Sequence, residues 1–141
     1  MKKVQEYDKK SWYDIVNQYD YESFQDEDLK RRFRNMALLG IAAMKDESLD
    51  EFNNLVSKMT GIYGAAKVCP FDKQDCDLNT EGLTLEPGIS DVVDNPASHQ
   101  WAELEYFWQK WRDASGKQMR SQFSRYVDLS NEAALANGKT I

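Results

Sequence analysis

The chain has 141 residues, of which 41% are hydrophobic and 30% are charged, so it can bury the core of one domain and is not a disordered segment. Its net charge of −6 argues against binding to nucleic-acid phosphates, which requires a basic surface. The longest apolar run, residues 36–44, is far shorter than the roughly 20 residues that span a bilayer. Residues 1–8 lack the apolar core of a signal peptide. We therefore expect a single domain, residues 1–141, with no nucleic-acid partner and no membrane partner.

Three amphipathic helices are predicted in the first half of the chain. The first covers residues 2–19 and is broken by the polar stretch at 20–24. Ser23 and the acids that follow resemble a helix start, which predicts a second helix over residues 26–44. Ser48 and Glu51 fit a capping box, in which hydroxyl and carboxylate each accept from the other's backbone N–H, and this predicts a third helix over residues 48–66.

Residues 67–96 differ in kind from these helices and predict a structured loop. Cys69 and Cys76 lie in it, and their spacing fits neither a zinc knuckle nor a C-x-x-C redox pair. Two free thiols and a small local disulfide are equally compatible with that spacing. Leu83–Leu85 could form a short extended segment with no visible partner, and a helical turn is expected near residues 89–93.

The last predicted helix covers residues 97–136 and stops at Asn137-Gly138. Large apolar residues recur at helical spacing along it: Trp101, Leu104, Trp108, Trp111, Met119, Phe123 and Tyr126. Unbroken, it would run roughly 60 Å at 1.5 Å per residue, whereas a compact domain of this length is only about 37 Å across. Either it kinks near Ser115-Gly116 or part of its apolar stripe needs a partner. The predicted fold is all-α, with one long C-terminal helix and the loop.

Few residues suggest catalysis. The only histidine is His99, so a zinc helix with two histidines on one face and a Ser-His-Asp set lack their components. Arg112 lies between Trp111 and Asp113, which suits cation–π packing or anion capture, although a pair with an acid is the plainer interpretation. Glu86 is a carboxylate in a rigid part of the loop, and a turn residue facing water is its plainer interpretation.

Four collinear motifs nevertheless resemble one family. They are Ile62–Cys69 (IYGAAKVC), Leu83–Pro87 (LTLEP), Trp108–Lys117 (WQKWRDASGK) and Tyr126–Ala134 (YVDLSNEAA). Together they are similar to segments of the angiotensin-converting enzyme family, the M2 zinc peptidyl-dipeptidases. Tyr21–Phe24 and Asp28–Phe33 look like the insect-type members. The resemblance covers nearly the whole chain.

The resemblance implies an all-helical enzyme with a deep cleft, a zinc ion on an H-E-x-x-H helix, and bound chloride. This chain would correspond to the N-terminal portion, whose helices partly cover the cleft, and the zinc helix would lie downstream of it. The resemblance also implies a Cys69–Cys76 disulfide, a substrate-pocket role for Glu86 and a chloride-binding role for Arg112. Relatives of this kind are secreted, so an extracellular location is implied.

We therefore expect a segment of a peptidyl-dipeptidase that has no catalytic residues, metal site or cofactor of its own and is inactive alone. The alternative is a stand-alone module of the same descent that binds a peptide or protein through an exposed helix face. A third hypothesis is that the chain complements a separate chain bearing the zinc helix. The expected partners are a peptide or protein, the downstream remainder of the enzyme, or a second copy of the chain bound through the apolar stripe at 101–126.

Overall fold

The computed structural model describes residues 2–95 and 100–139, and it confirms the predicted all-α class. Within those residues no β-strand forms, and one isolated antiparallel bridge pairs Val68 with Leu83. No helix in the described part of the chain combines the length and the apolar character needed to cross a membrane. The helices are α1 (Lys2–Asp8), α2 (Asp14–Val16), α3 (Glu27–Met36), α4 (Asp46–Ala65), α5 (Ser90–Val93), α6 (Trp101–Ala114) and α7 (Arg120–Ala136), with a π-helical turn at Lys9–Tyr13 and 3₁₀ turns at Tyr21–Ser23 and Gly40–Ala43.

The chain separates into two compact units. Unit 1 combines residues 1–54 with residues 125–141, and unit 2 is the continuous segment 55–124. The boundaries fall inside α4 and α7. The single domain expected from the sequence stays a prediction.

In unit 1 the first part of α4 packs against the last part of α7. Their buried side chains are Leu49 and Phe52 from α4, and Leu129 and Ala133 from α7. The rings of Phe52 and Tyr126 lie 5.0 Å apart between centroids. Burial of these apolar side chains is what stabilises the pair, since the hydrophobic effect scales with the area removed from water.

Helix α4 begins at Asp46, two residues before the start predicted from the sequence. Ser48 therefore lies inside the helix instead of capping it, and its hydroxyl donates to Glu132 Oε1 of α7 at 2.8 Å. Asp46 and Glu47 occupy the first turn, where negative charge is favoured by the helix dipole. The predicted capping box was wrong because a partner distant in the sequence binds Ser48.

The second predicted helix, 26–44, begins within one residue of its predicted start, but its capping residue and its far end need correction. Asp26 caps α3, because its Oδ1 accepts from the backbone N–H groups of Asp28 (2.9 Å) and Leu29 (3.0 Å). The Ser23 hydroxyl donates instead to the Asp20 carbonyl. At the other end α3 stops at Met36 and not at residue 44.

The early end of α3 is explained by Gly40 and Asn137. Gly40 has φ +57°, a left-handed conformation that glycine adopts without steric cost. Asn137 Oδ1 accepts from the backbone N–H of Leu39 (2.9 Å) and of Gly40 (3.1 Å). Asn137 Nδ2 donates to the carbonyls of Gly40 (2.8 Å) and Ala133 (2.7 Å). We call this set of four hydrogen bonds the Asn137 clasp; it satisfies backbone groups that a longer helix would have paired internally.

The first predicted helix, 2–19, ends earlier too. Helical structure stops at Val16, and the Asn17 side chain donates to the Tyr13 carbonyl at 2.7 Å. The chain then turns so that Tyr19, Tyr21 and Phe24 all lie against the ring of Phe33, with centroids 5.1 to 6.0 Å apart. This aromatic cluster fixes α3 to the segment before it.

Unit 2 is built around a core of Val68, Ile89 and Phe107, all of which are buried. Val68 and Leu83 exchange two backbone hydrogen bonds of 2.9 and 2.8 Å, so the extended segment at 83–85 does have a partner. The expected helical turn near residues 89–93 is α5.

The long helix predicted over 97–136 is interrupted. Helix α6 ends at Ala114, Ser115 leaves helical geometry with φ −114° and ψ −83°, and α7 starts at Arg120. Ser115 is buried, and its hydroxyl is satisfied by donating to the Trp111 carbonyl. The kink expected near Ser115-Gly116 is therefore a break between two helices. The predicted first residues of this helix, together with His99, lie outside the described residues.

Candidate functional site

The loop that follows α4 is closed by a disulfide. Cys69 and Cys76 are bonded with an S–S distance of 2.10 Å, which confirms the pairing implied by the family resemblance. The Tyr106 hydroxyl of α6 donates to the Cys69 carbonyl at 3.1 Å, and burial raises the pKa of Tyr106. Phe71 packs edge-on against the same tyrosine ring, with centroids 5.6 Å apart. The disulfide loop is thus fixed to α6.

Glu86 lies just beyond the bridge between Val68 and Leu83. Its backbone is extended, and its peptide bond to Pro87 is cis. The side chain is exposed, and Oε2 accepts from the Ser90 hydroxyl at 2.6 Å. Glu86 therefore presents a solvent-accessible carboxylate that is oriented by one neighbour at the start of α5.

Arg112 lies on α6 and stacks on an indole. Its guanidinium carbon is 3.8 Å from the centroid of the Trp108 ring, and Nη1 donates to the Trp108 carbonyl at 2.8 Å. Among the described residues no carboxylate forms an ion pair with it, and the neighbouring Asp113 pairs with Lys117. Cation–π packing was one of the alternatives compatible with the sequence and is present, whereas the pair with an acid, which was the plainer interpretation, is not found among the described residues. Guanidinium N–H groups are left over for an anion.

The structure does not join these two side chains. Glu86 binds Ser90 and Arg112 binds Trp108, with no hydrogen bond or ion pair between the two within residues 2–95 and 100–139. The substrate and chloride roles implied for them stay predictions.

The tryptophans of α6 are divided between solvent and core in a way that the sequence pattern did not predict. Trp101 is 77% exposed and Trp108 is 59% exposed, and with Leu104 they line a shallow cavity of about 290 Å³. Trp111 packs edge-on against Tyr63 instead, with centroids 5.4 Å apart. The residue of α6 that is truly buried is Phe107, at 2% exposure.

Sequence reasoning missed Phe107 although a signal was available. Phe107, Trp111 and Ala114 follow the same three- and four-residue spacing as the stripe that was chosen. Two apolar faces that overlap at Trp111 fit the helical period equally well. The predicted face contained Trp101 and Trp108, which are exposed, and the buried face contains Phe107.

A zinc site does not fit the described residues. No group of three or more His, Cys, Asp or Glu side chains is gathered there in a way that could hold a metal ion. Both cysteine sulfurs are consumed by the disulfide, so neither can act as a thiolate ligand. No catalytic step through a metal is therefore derived from this chain.

A helical chain with a disulfide-closed loop before its tryptophan-rich helix is what the four collinear motifs imply. The sequence matches the model of the angiotensin-converting enzyme family over residues 1–140. The chain belongs to the angiotensin-converting enzyme family, the M2 peptidases.

Its relatives are much longer proteins. It is 36% identical over 118 residues to an angiotensin-converting enzyme of Theromyzon tessulatum, covering 84% of this chain and 18% of that protein. It is 39% identical over 115 residues to the angiotensin-converting enzyme-like protein Ace3 of Mus musculus, covering 82% and 14%. It is 33% identical over 124 residues to the angiotensin-converting enzyme-related protein of Drosophila melanogaster, covering 87% and 19%. The chain thus spans less than a fifth of the length of each.

Proposed function

We propose that this chain is the N-terminal, cleft-covering segment of a zinc peptidyl-dipeptidase and does not hydrolyse peptides by itself. The observation that carries the proposal is the family match over residues 1–140 in a sequence with one histidine. Metal-assisted hydrolysis needs ligands that fix the metal and lower the pKa of a bound water. An H-E-x-x-H helix supplies two of them from one face. The 141 residues contain no such helix.

In this proposal the chain contributes to a site that is completed by other residues of the enzyme. Glu86 would face the substrate pocket, which is supported by its exposed carboxylate and by the Ser90 hydroxyl that orients it. Arg112 would help to bind chloride, which is supported by its positive charge beside Trp108, for which no carboxylate partner is found among the described residues. Zinc and chloride are cofactors of the complete enzyme in this proposal.

The disulfide supports an extracellular or otherwise oxidising location. Disulfides persist in secreted proteins and are rare where glutathione keeps thiols reduced. Cys69 and Cys76 are both consumed in one bond. The proposal therefore places the protein outside the cytosol.

The test is an assay of the purified chain on a blocked tripeptide, with and without added zinc, together with metal analysis of the protein. We expect no release of dipeptide and no stoichiometric zinc. Cleavage that a chelator abolishes would contradict the proposal. A full-length relative assayed in parallel is the control that shows the substrate and buffer to be suitable.

A second candidate function is a non-catalytic module that binds a peptide or a protein. The exposure of Trp101 and Trp108 beside one cavity favours it, since exposed apolar patches commonly mark interaction sites. The third candidate function is that this chain complements a separate chain that carries the zinc helix. The purified chain is mixed with such a partner, the mass of the mixture is measured by light scattering, and its peptidase activity is assayed. These measurements separate the cases, because only the complementing pair gains peptidase activity.

A further inference from the structure

The Asn137 clasp joins residues that are almost a hundred positions apart in the sequence. One side-chain amide uses both its oxygen and its nitrogen to bind four backbone groups, at Leu39, Gly40 (twice) and Ala133. It holds the turn at 38–43 against the end of α7. Nothing in the proposed function depends on it.

Asn137 is also followed by Gly138, and this is the only Asn-Gly pair in the sequence. Asparagine is a chemically labile residue. The backbone nitrogen of the next residue can attack the side-chain amide carbon, and glycine obstructs this least because it has no Cβ. A new N–Cγ bond forms and the Cγ–Nδ2 bond breaks, and the leaving NH₂ group takes up the proton that the backbone nitrogen gives up and departs as ammonia. Solvent water then opens the resulting succinimide ring to aspartate or isoaspartate.

In the closed structure both reacting groups are held. The Gly138 N–H donates to the Leu135 carbonyl at 2.9 Å, and the Lys139 N–H donates to the Ala134 carbonyl at 3.0 Å. With Gly138 at φ +70°, this is a Schellman motif at the end of α7. Attack therefore requires local opening of this helix end, and the stability of the clasp sets how often that occurs.

We propose that Asn137 is a site of spontaneous deamidation and that its conversion opens the clasp irreversibly. In the asparagine form Nδ2 lies 2.8 Å from the Gly40 carbonyl oxygen and 2.7 Å from the Ala133 carbonyl oxygen. In an aspartate product an oxygen takes the place of Nδ2. Two donated hydrogen bonds become two repulsive contacts between acceptors. The new negative charge also lies at the C-terminal end of α7, where the helix dipole disfavours it.

The clasp also forms one wall of a cavity of about 460 Å³ in unit 1. Leu39 and Asn137 line that cavity together with Tyr13, Tyr21 and Arg34. Loss of the clasp frees the turn at 38–43 and so removes this wall. The modification is thus a one-way change in the structure of unit 1.

The first experiment compares the rate of conversion in the folded and the unfolded chain. The protein is incubated at 37 °C and neutral pH, with and without denaturant, and the peptide that contains residue 137 is followed by mass spectrometry. We expect conversion of the folded chain to be at least about tenfold slower, because opening must precede attack. Equal rates in the two conditions, or no conversion in denaturant, would overturn the proposal.

Two variants separate the clasp from the chemistry. Gly40→Ala keeps the Asn-Gly pair but strains the turn, because alanine rarely adopts φ +57°. No neighbour lies within 4 Å of the added Cβ, so the strain comes from the backbone and not from a clash. We expect it to convert faster than the wild type under native conditions. Gly138→Ala in denaturant is the chemical control and should convert more slowly.

Asn137→Asp tests the consequence directly and does not depend on the behaviour of Gly40→Ala. We expect faster hydrogen exchange at the amides of Leu39 and Gly40 than in the wild type. Asn54→Asp, at an exposed position of α4, is the matched control and should leave those amides unchanged. Unchanged exchange at both amides in Asn137→Asp would overturn the proposed opening.

Discussion

Two leucines of α7 that lie six residues apart differ greatly in exposure. Leu129 is 0% exposed and Leu135 is 58% exposed. Truncating a fully buried leucine removes its transfer free energy and leaves a cavity, and the surroundings relax only in part. The same truncation at an exposed position changes little.

We expect Leu129→Ala to lower the free energy of unfolding by about 2–5 kcal/mol. Leu135→Ala is the control and should stay within about 0.5 kcal/mol of the wild type. Urea unfolding followed by circular dichroism measures both. Equal effects of the two substitutions would mean that the assigned face of α7 is wrong.

Glu51 and Arg125 form a bidentate ion pair between α4 and α7, with N–O distances of 2.8 and 2.7 Å. The hydrogen bonds from Arg125 lower the pKa of Glu51 in the folded chain. A carboxylate with a lowered pKa stabilises the fold above its unfolded pKa, and the contribution is lost as pH falls through the folded pKa. Both side chains are nearly half exposed, so solvent screens the effect.

A double-mutant cycle with Glu51→Gln, Arg125→Met and the double variant measures the free energy of coupling between the two side chains. We expect a small coupling in the urea midpoints at pH 7 that is lost as the pH falls through the lowered pKa of Glu51. Added salt should weaken it at pH 7, since the pair is exposed. Coupling that does not diminish as the pH is lowered would contradict the ionic origin.

At the residue scale, side-chain contacts between neighbours on one helix were more accessible to prediction than contacts between residues that are distant in the sequence. The packing of Arg112 on an indole was among the alternatives that the sequence allowed, because the interacting residues are neighbours on one helix, although a pair with an acid was the plainer interpretation. The hydrogen bond from Ser48 to Glu132 could not, because its two ends are 84 positions apart. A local capping pattern around Ser48 therefore predicted the wrong role.

The disulfide loop is the element whose closure is most direct to test. Cys69 and Cys76 are seven positions apart, and Cys69 is buried. Closing so short a loop stabilises the folded state by about 2–3 kcal/mol in the chain-entropy model. The bond therefore makes a modest contribution to the stability of unit 2.

We expect Cys69→Ser/Cys76→Ser to melt several degrees below the wild type, as about 2–3 kcal/mol implies for a chain of this size. A reductant should lower the melting temperature of the wild type toward that of the variant and leave the variant unchanged. An equal response of both proteins to the reductant would show that the disulfide is not its target.

At the scale of elements the all-α class could be predicted, but the number of long helices and several of their ends could not. Hydrophobic spacing located α4, α6 and α7, since periodicity is a property of the local sequence. The end of α3 is set by Asn137, whose side chain arrives from the other end of the chain. Leu83 pairs with Val68, which lies on the other side of the disulfide loop, and no sequence pattern near Leu83 predicts this pairing.

Among the described side chains, Trp101 and Trp108 are tryptophans that lie largely exposed to solvent. Trp101 and Trp108 lie beside one cavity of α6. The chain spans 14–19% of the length of the relatives described above, so in the proposed enzyme other residues are available to cover them. Without that cover, apolar area of this kind favours self-association.

We expect the purified chain to associate as its concentration rises, and Trp101→Ser/Trp108→Ser to reduce this. Leu135→Ser is the control, because it removes an exposed apolar side chain from unit 1. Size exclusion with light scattering gives the mass at each concentration. A wild-type chain that stays monomeric throughout would contradict a docking role for this face in self-association.

The division of the chain into a continuous unit 2 and a unit 1 assembled from both ends has a kinetic consequence. During synthesis, residues 55–124 leave the ribosome as one uninterrupted piece, so their native contacts become available together. Residues 1–54 emerge before them but must wait until 125–141 appear before Tyr126 can pack on Phe52. Bringing segments so far apart together costs loop-closure entropy, which slows folding. Unit 1 is therefore completed after unit 2, although residues 1–54 are synthesised before it.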